Sequence, residues 1–166
     1  MFFLFSRKTI LLHILCNSFI LILLLLFCRR GGTGKSFLLK VCSKLINEME
    51  GHQFLKIAAP TGSAAYNVDG ATLHSLLQIP VKFDDKNCAP PLDGDPLQRL
   101  QSTFKGTHLL WIDEKSMVST TRIYQIDQRL KQARPENADL PFGGISVILM
   151  GDYAQLPPVK VIQTFL

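Results

Sequence analysis

The chain has 166 residues, 47% of them hydrophobic and 19% charged, which fits one ordinary domain and is too short for two full nucleotide-binding lobes. Eleven glycines, nine prolines and no low-complexity tract exclude collagen-like, mucin-like and largely disordered chains. The net charge of +5 is concentrated at one end: residues 1–30 carry Arg7, Lys8, Arg29 and Arg30 and no acid, leaving +1 on the rest, so global electrostatics does not argue for a polyanionic partner.

The first element is an apolar run. From Ile10 to Cys28 only His13, Asn17 and Ser18 interrupt it, and as a helix it would extend about 28 Å, long enough to cross a bilayer. Arg7 and Lys8 ahead of it resemble a secretory leader, yet no small-x-small cleavage site follows, so cleavage is not expected. Basic pairs flank both ends and leave no positive-inside orientation for an inserted span. Another assignment competes for the same residues: Leu23–Cys28 as a buried parallel strand, with 10–22 as a preceding apolar helix. We favour that assignment over membrane association through 10–28, because the loop after Cys28 needs a strand feeding into it. A third possibility is that residues 1–22 are a leader without a functional role.

Lys35–Glu50 places Leu38, Leu39, Cys42, Leu45, Ile46 and Met49 at helical spacing, and Gly51 follows where a helix stops. Residues 54–60 read as a short strand ended by Pro60, followed by a loop and short helix up to Gly70 and a helical turn over 72–77. Residues 84–96 are turn formers and charges, a surface loop or insertion. Thr107–Asp113 is an apolar strand ending in acids, Ser119–Arg134 an amphipathic helix, 135–144 a loop, and Ile145–Met150 a third buried strand. Strands and helices alternate, which predicts a three-layer α/β domain with a mainly parallel sheet. Cys16, Cys28, Cys42 and Cys88 have neither C-x-x-C nor zinc-ligand spacing and are read as free thiols.

Ligands on such sheets gather at the carboxyl ends of the strands. Arg30–Ser36 reads RGGTGKS between the apolar strand and the first long helix, the context of a phosphate-binding loop. The amides of Gly31, Gly32, Thr33 and Gly34 would cradle phosphates, Lys35 would reach the β- and γ-phosphates, and the Ser36 hydroxyl would ligate Mg²⁺. Position 29, where the first glycine of the pattern belongs, is Arg29, whose β-carbon crowds a backbone that often needs glycine. Asp113 and Glu114 end an apolar strand, where paired acids are costly unless they hold a metal and a water: Asp113 would serve Mg²⁺, and Glu114 would polarise the attacking water. Gln155, in the GDYAQLPPV segment after the last strand, can donate and accept at once and so orient that water while sensing the γ-phosphate.

Four segments in order, GGTGKS at 31, APTGSAAYNVDGATLHSLLQIP at 59, LLWIDEKSMVS at 109 and FGGISVILMGDYAQLPPV at 142, resemble the Pif1-like DNA helicases of superfamily one, those of Helitron-type transposons included. They cover nearly everything from 30 to 160, and the second and fourth are particular to that family. The resemblance implies that 23–166 form a RecA-like P-loop ATPase lobe, the first lobe of a helicase motor using ATP and Mg²⁺ to move 5′ to 3′ along single-stranded DNA. Roles in repair, recombination and telomere upkeep, and a nuclear or mitochondrial location, are implied with it. By the same resemblance Pro60, Thr61 and Gly62 touch the DNA backbone, and His74, in the T-x-H-S segment, lies near DNA or braces the fold.

Three departures stand out: Arg29, Lys115 where the family usually has an apolar residue, and no recognisable adenine-reading segment ahead of the loop. The sequence ends before the second motor lobe that the family supplies as a partner, with its arginines. Arginine fingers are worth about 10³ to 10⁵ in phosphoryl-transfer rate, so one lobe is expected to bind MgATP weakly, turn over slowly and unwind nothing by itself. Other outcomes open from the sequence are a nucleotide- or single-strand-binding module without motor activity, a membrane-tethered P-loop protein, and an inert remnant.

Overall fold

The computed structural model describes residues 34–80 and 90–151. The assignments made for 1–33, among them the strand at 23–28 and the residues Gly31, Gly32 and Thr33, lie outside these, as does Gln155.

Helix α1 (Lys35–Glu50) begins where Gly34 takes φ 78 and ends where Gly51 takes φ 90, positions that side chains with a Cβ resist. Strand β1 (Leu55–Ala59) stops one residue short of Pro60, and Thr61 then caps the short helix α2 (Gly62–Asn67) by accepting the Ala64 N–H at 3.2 Å. A two-residue strand β2 (Ala71–Thr72) precedes α3 (Leu73–Leu76); only the helical part was expected here, because two residues carry no strand periodicity. Thr72 caps α3 through Ser75, which gives the T-x-H-S segment a structural duty.

The predicted loop over 84–96 is too long at its end. Helix α4 (Gly94–Phe104) begins inside it and carries Leu97, Leu100 and Phe104 on one stripe, with Pro96 in the first turn, where a missing N–H costs nothing. Strand β3 (Leu109–Ile112), helix α5 (Thr120–Ala133) capped by Ser119, and strand β4 (Ser146–Leu149) fall inside the expected ranges.

The sheet order is β2-β1-β3-β4, every pair parallel, with Leu55 to Ala58 opposite Leu109 to Ile112, and Leu109 to Ile112 opposite Ser146 to Leu149. Alternation along the strands builds two apolar layers. Ala58, Leu110 and Ile112 face α3, α4 and α5 through Leu73, Leu100, Phe104, Ile126 and Leu130. Leu55, Trp111 and Met150 face α1 through Leu39 and Cys42. Burial of such side chains contributes about 1.5–3 kcal/mol each, which is what fixes the register.

Two expectations are corrected here. Leu45 and Met49 do not join the core but form, with Phe37 and Val41, an exposed apolar stripe at intervals of four along α1. Strand β4 is not fully buried: Ser146 is exposed, Val147 to Leu149 are half-buried, and among the described residues β4 pairs with β3 alone.

The segment between α5 and β4 is shaped by α5. Asp127 accepts the Phe142 N–H at 2.7 Å, and a Cβ at Gly143 would come within 2.5 Å of the Leu130 carbonyl oxygen, so only glycine lets this turn lie against the helix.

Candidate nucleotide site at the carboxyl ends of the sheet

Parallel strands bring their carboxyl ends to one edge, and three of the predicted site segments meet there. Ala58 and Ile112 are register partners, and the Asp113 N–H continues the ladder by donating to the Ala58 carbonyl at 2.9 Å. Two residues beyond Ile112 is Glu114, and three beyond Ala58 is Thr61.

Glu114 takes φ 54 and ψ 49, a left-handed backbone that costs a non-glycine residue about 1 kcal/mol. The neighbourhood over-determines it. Its N–H donates to Asp113 Oδ1 at 2.8 Å, the Lys115 N–H donates to the Met150 carbonyl at 2.8 Å, and the Met117 N–H donates back to the Glu114 carbonyl at 3.0 Å. The turn swings the chain off β3 into the short 3₁₀ turn Lys115–Met117. The Glu114 carboxylate then meets Thr61, whose hydroxyl donates to Oε2 at 3.5 Å.

Asp113 is buried, and burial pushes its carboxyl above the ordinary value, while the hydrogen bond from the Glu114 N–H and the Lys35 ammonium pull it back down. Lys35, the first residue of α1, therefore acts on the end of β3, and Ser36 follows it in the first turn. Lys35, Asp113 and Glu114 are thus at this edge, with Pro60, Thr61 and Gly62 at the end of β1. Thr61 is half-buried, Gly62 is exposed, and a Cβ at Gly62 would meet nothing, so the space beside this loop is open.

His74 is half-buried on α3. Burial and the nearby Arg122 both lower its pKa, which keeps the imidazole neutral near pH 7. Sequence reasoning missed Gly151: a Cβ there would sit 2.6 Å from the Lys115 nitrogen and 3.3 Å from the Glu114 carbonyl carbon. A glycine directly after an apolar parallel strand is the signal for such a close backbone approach.

Asp113 and Ser36 offer oxygen donors of the kind Mg²⁺ takes, and among the described residues no cluster of three or more His, Cys, Asp or Glu side chains is built to hold a metal unaided. A donor set of this kind fits a cation that completes its shell with substrate phosphates and water.

A parallel sheet with helices on both faces, a lysine opening α1 beside a strand-terminal acid pair, and a capped loop on the neighbouring strand define a RecA-like lobe. Residues 9–164 match the family described as PIF1-like helicase. The chain belongs to that family. It is 35% identical over 130 residues to the ATP-dependent DNA helicase RRM3 of Saccharomyces cerevisiae, covering 78% of this chain and 17% of that one. Among solved structures, a Bacteroides Pif1 in complex with ADP-AlF3 and single-stranded DNA superposes with a TM-score of 0.61 at 36% identity, over 80% of this chain and 29% of that one. The Pif1 helicase of Candida albicans gives 0.66 at 26% identity, over 96% of this chain and 35% of that one. The chain therefore spans between about a sixth and a third of the length of these relatives.

Proposed function

We propose that residues 23–166 form the ATP-binding first lobe of a DNA helicase motor, which binds MgATP and single-stranded DNA and hydrolyses ATP slowly by itself and fast when a second lobe completes the site. The observation that carries this reading is the meeting of Lys35, Asp113, Glu114 and Thr61 at one edge of the sheet. Lys35 binds the β- and γ-phosphate oxygens, and Gly31 to Gly34 surround them with amides. Ser36 and Asp113 hold Mg²⁺, which when bound neutralises charge on the phosphates. Glu114 takes a proton from the water that attacks the γ-phosphorus as the bond to ADP breaks, giving ADP and inorganic phosphate. Gln155 orients that water.

Residues 23–28 are assigned as a strand because a phosphate-binding loop needs a buried parallel strand feeding into it, and they are the apolar run directly ahead of that loop. Pro60, Thr61 and Gly62 meet the DNA backbone through amides and a hydroxyl in place of cations, in keeping with a near-neutral net charge beyond residue 30. His74 contacts DNA as a neutral group or braces α3 against α5. The two Pif1 structures and RRM3 are named as helicases, and the Bacteroides complex holds a nucleotide analogue and single-stranded DNA, which supports the choice of ligands.

The test is MgATP binding and hydrolysis by the chain, with and without single-stranded DNA, beside a Lys35→Ala variant. The expected result is weak binding that Lys35→Ala reduces at least about tenfold, with hydrolysis that DNA raises. Binding equal in the two chains would overturn the nucleotide role of Lys35. Binding without any hydrolysis would favour a binding module in place of a motor lobe.

A further inference from the structure

Thr61 stands on two sides of the site at once. A hydroxyl has one proton to give and two lone pairs to receive. Thr61 receives the Ala64 N–H at 3.2 Å, fixing the start of α2, and gives its proton to Glu114 Oε2 at 3.5 Å. The first bond is part of the fold. The second, at the long end of hydrogen bonding, joins loops 53 residues apart in the sequence and is readily exchanged for a closer acceptor. Glu114 has little freedom to leave by moving its backbone, because its left-handed conformation is pinned by Asp113 on one side and by the Lys115 bond to Met150 on the other. Any change in the direction of its carboxylate must come from its side-chain torsions, and Thr61 holds one of its two oxygens.

A phosphodiester oxygen is an anionic acceptor like the carboxylate, Thr61 is only half-buried, and the space beside the neighbouring Gly62 is open. We propose that Thr61 is a positioning residue for Glu114: its hydroxyl restrains the carboxylate in the DNA-free chain and releases it when that hydroxyl turns to a backbone phosphate of single-stranded DNA. One exchanged hydrogen bond then couples strand binding to activation of the attacking water. The proposal rests on the reading of the site given above, in which Glu114 serves the water and the loop after β1 meets DNA.

Two measurements on the full chain test it, using Thr61→Val, which removes the hydroxyl at nearly constant volume, and Thr61→Ser, which keeps it. The first is the side-chain carboxyl ¹³C resonance of Glu114 in glutamate-labelled chain without nucleotide, assigned with Glu114→Gln. The expected result is that Thr61→Val moves the resonance, that oligothymidylate moves it in the same direction in wild type, and that the oligonucleotide adds nothing in Thr61→Val. Thr61→Ser should follow wild type. The second is ATP hydrolysis without DNA, expected to rise about threefold in Thr61→Val, the lower end for a net hydrogen bond because the contact is long, with the stimulation by DNA falling to match. Damage to the α2 cap alone would lower the rate in place of raising it.

An unchanged Glu114 resonance in Thr61→Val would overturn the restraint. A wild-type resonance indifferent to oligothymidylate would overturn the release by DNA, and a DNA-free rate in Thr61→Val at or below wild type would overturn the coupling. Failure of the wild-type chain to bind MgATP would count against the nucleotide reading, and the resonance would still decide the Thr61–Glu114 contact.

Discussion

Asp113 is 8% exposed, at the end of a strand whose other side chains are apolar. Its ionised form is paid for in stability: burial favours the proton, and Lys35 and the Glu114 N–H offset only part of that preference. The raised pKa means that the folded chain holds the proton more tightly than the unfolded chain. The stability this confers is complete below the ordinary value of 3.8 and is lost as pH rises through it to the folded value. Asp113→Asn keeps an oxygen for the Glu114 N–H and removes the charge. Thermal unfolding at pH 7 should therefore show the variant more stable by about 1 kcal/mol, a Tm rise of about 2–4 °C, with the difference closing below pH 4. The same variant should weaken Mg²⁺-dependent nucleotide binding about tenfold or more, as a site that trades stability for ligand affinity does. A destabilised variant with unchanged affinity would contradict both statements.

At the scale of elements, the strand ends set the site, and one glycine keeps two of its segments close enough. Gly151 lies where the backbone leaving β4 passes the Glu114–Lys115 peptide. Gly151→Ala forces these backbones apart and should cost about 1–3 kcal/mol in chemical denaturation, with a matching loss of MgATP affinity because Asp113 and Glu114 shift together. An alanine tolerated without change in either measurement would show that this close approach does not govern the site. Much at this scale was legible in the sequence, and for physical reasons. Apolar runs ending in Pro60 and in Asp113 reveal strands by composition, and Ser119 ahead of an amphipathic stretch reveals the start of α5. Helix α4 was not legible at all: Asp93, Gly94, Asp95 and Pro96 read as turn residues, no element was assigned to 97–106, and packing of Leu100 and Phe104 on the sheet makes the segment a helix. The link between Thr61 and Glu114 was equally hidden: it follows from strand register and a left-handed glutamate, neither of which local sequence encodes.

For the whole molecule, the sheet order gathers segments far apart in the sequence onto one edge, and the apolar layers on its two faces have no part in the chemistry. Among the described residues no helix is long and apolar enough to cross a membrane, and residues 10–28 lie outside them. The Pif1-like family signature divides between two duties. FGG at 142 and the T-x-H-S segment shape turns and caps, whereas GKS at 34 and DE at 113 are the segments to which we assign the proposed nucleotide chemistry. Occupation of that edge by a nucleotide is the central property proposed for the molecule. Titration of the isotope-labelled chain with Mn²⁺·ATP, following paramagnetic broadening of its amide resonances, tests this most directly. Broadening centred on the amides of Gly31 to Ser36, Thr61, Asp113 and Glu114, and absent from those of Gly106 and Arg134 at the opposite ends of the strands, is the predicted result; broadening centred anywhere else, or spread evenly over the chain, would contradict it.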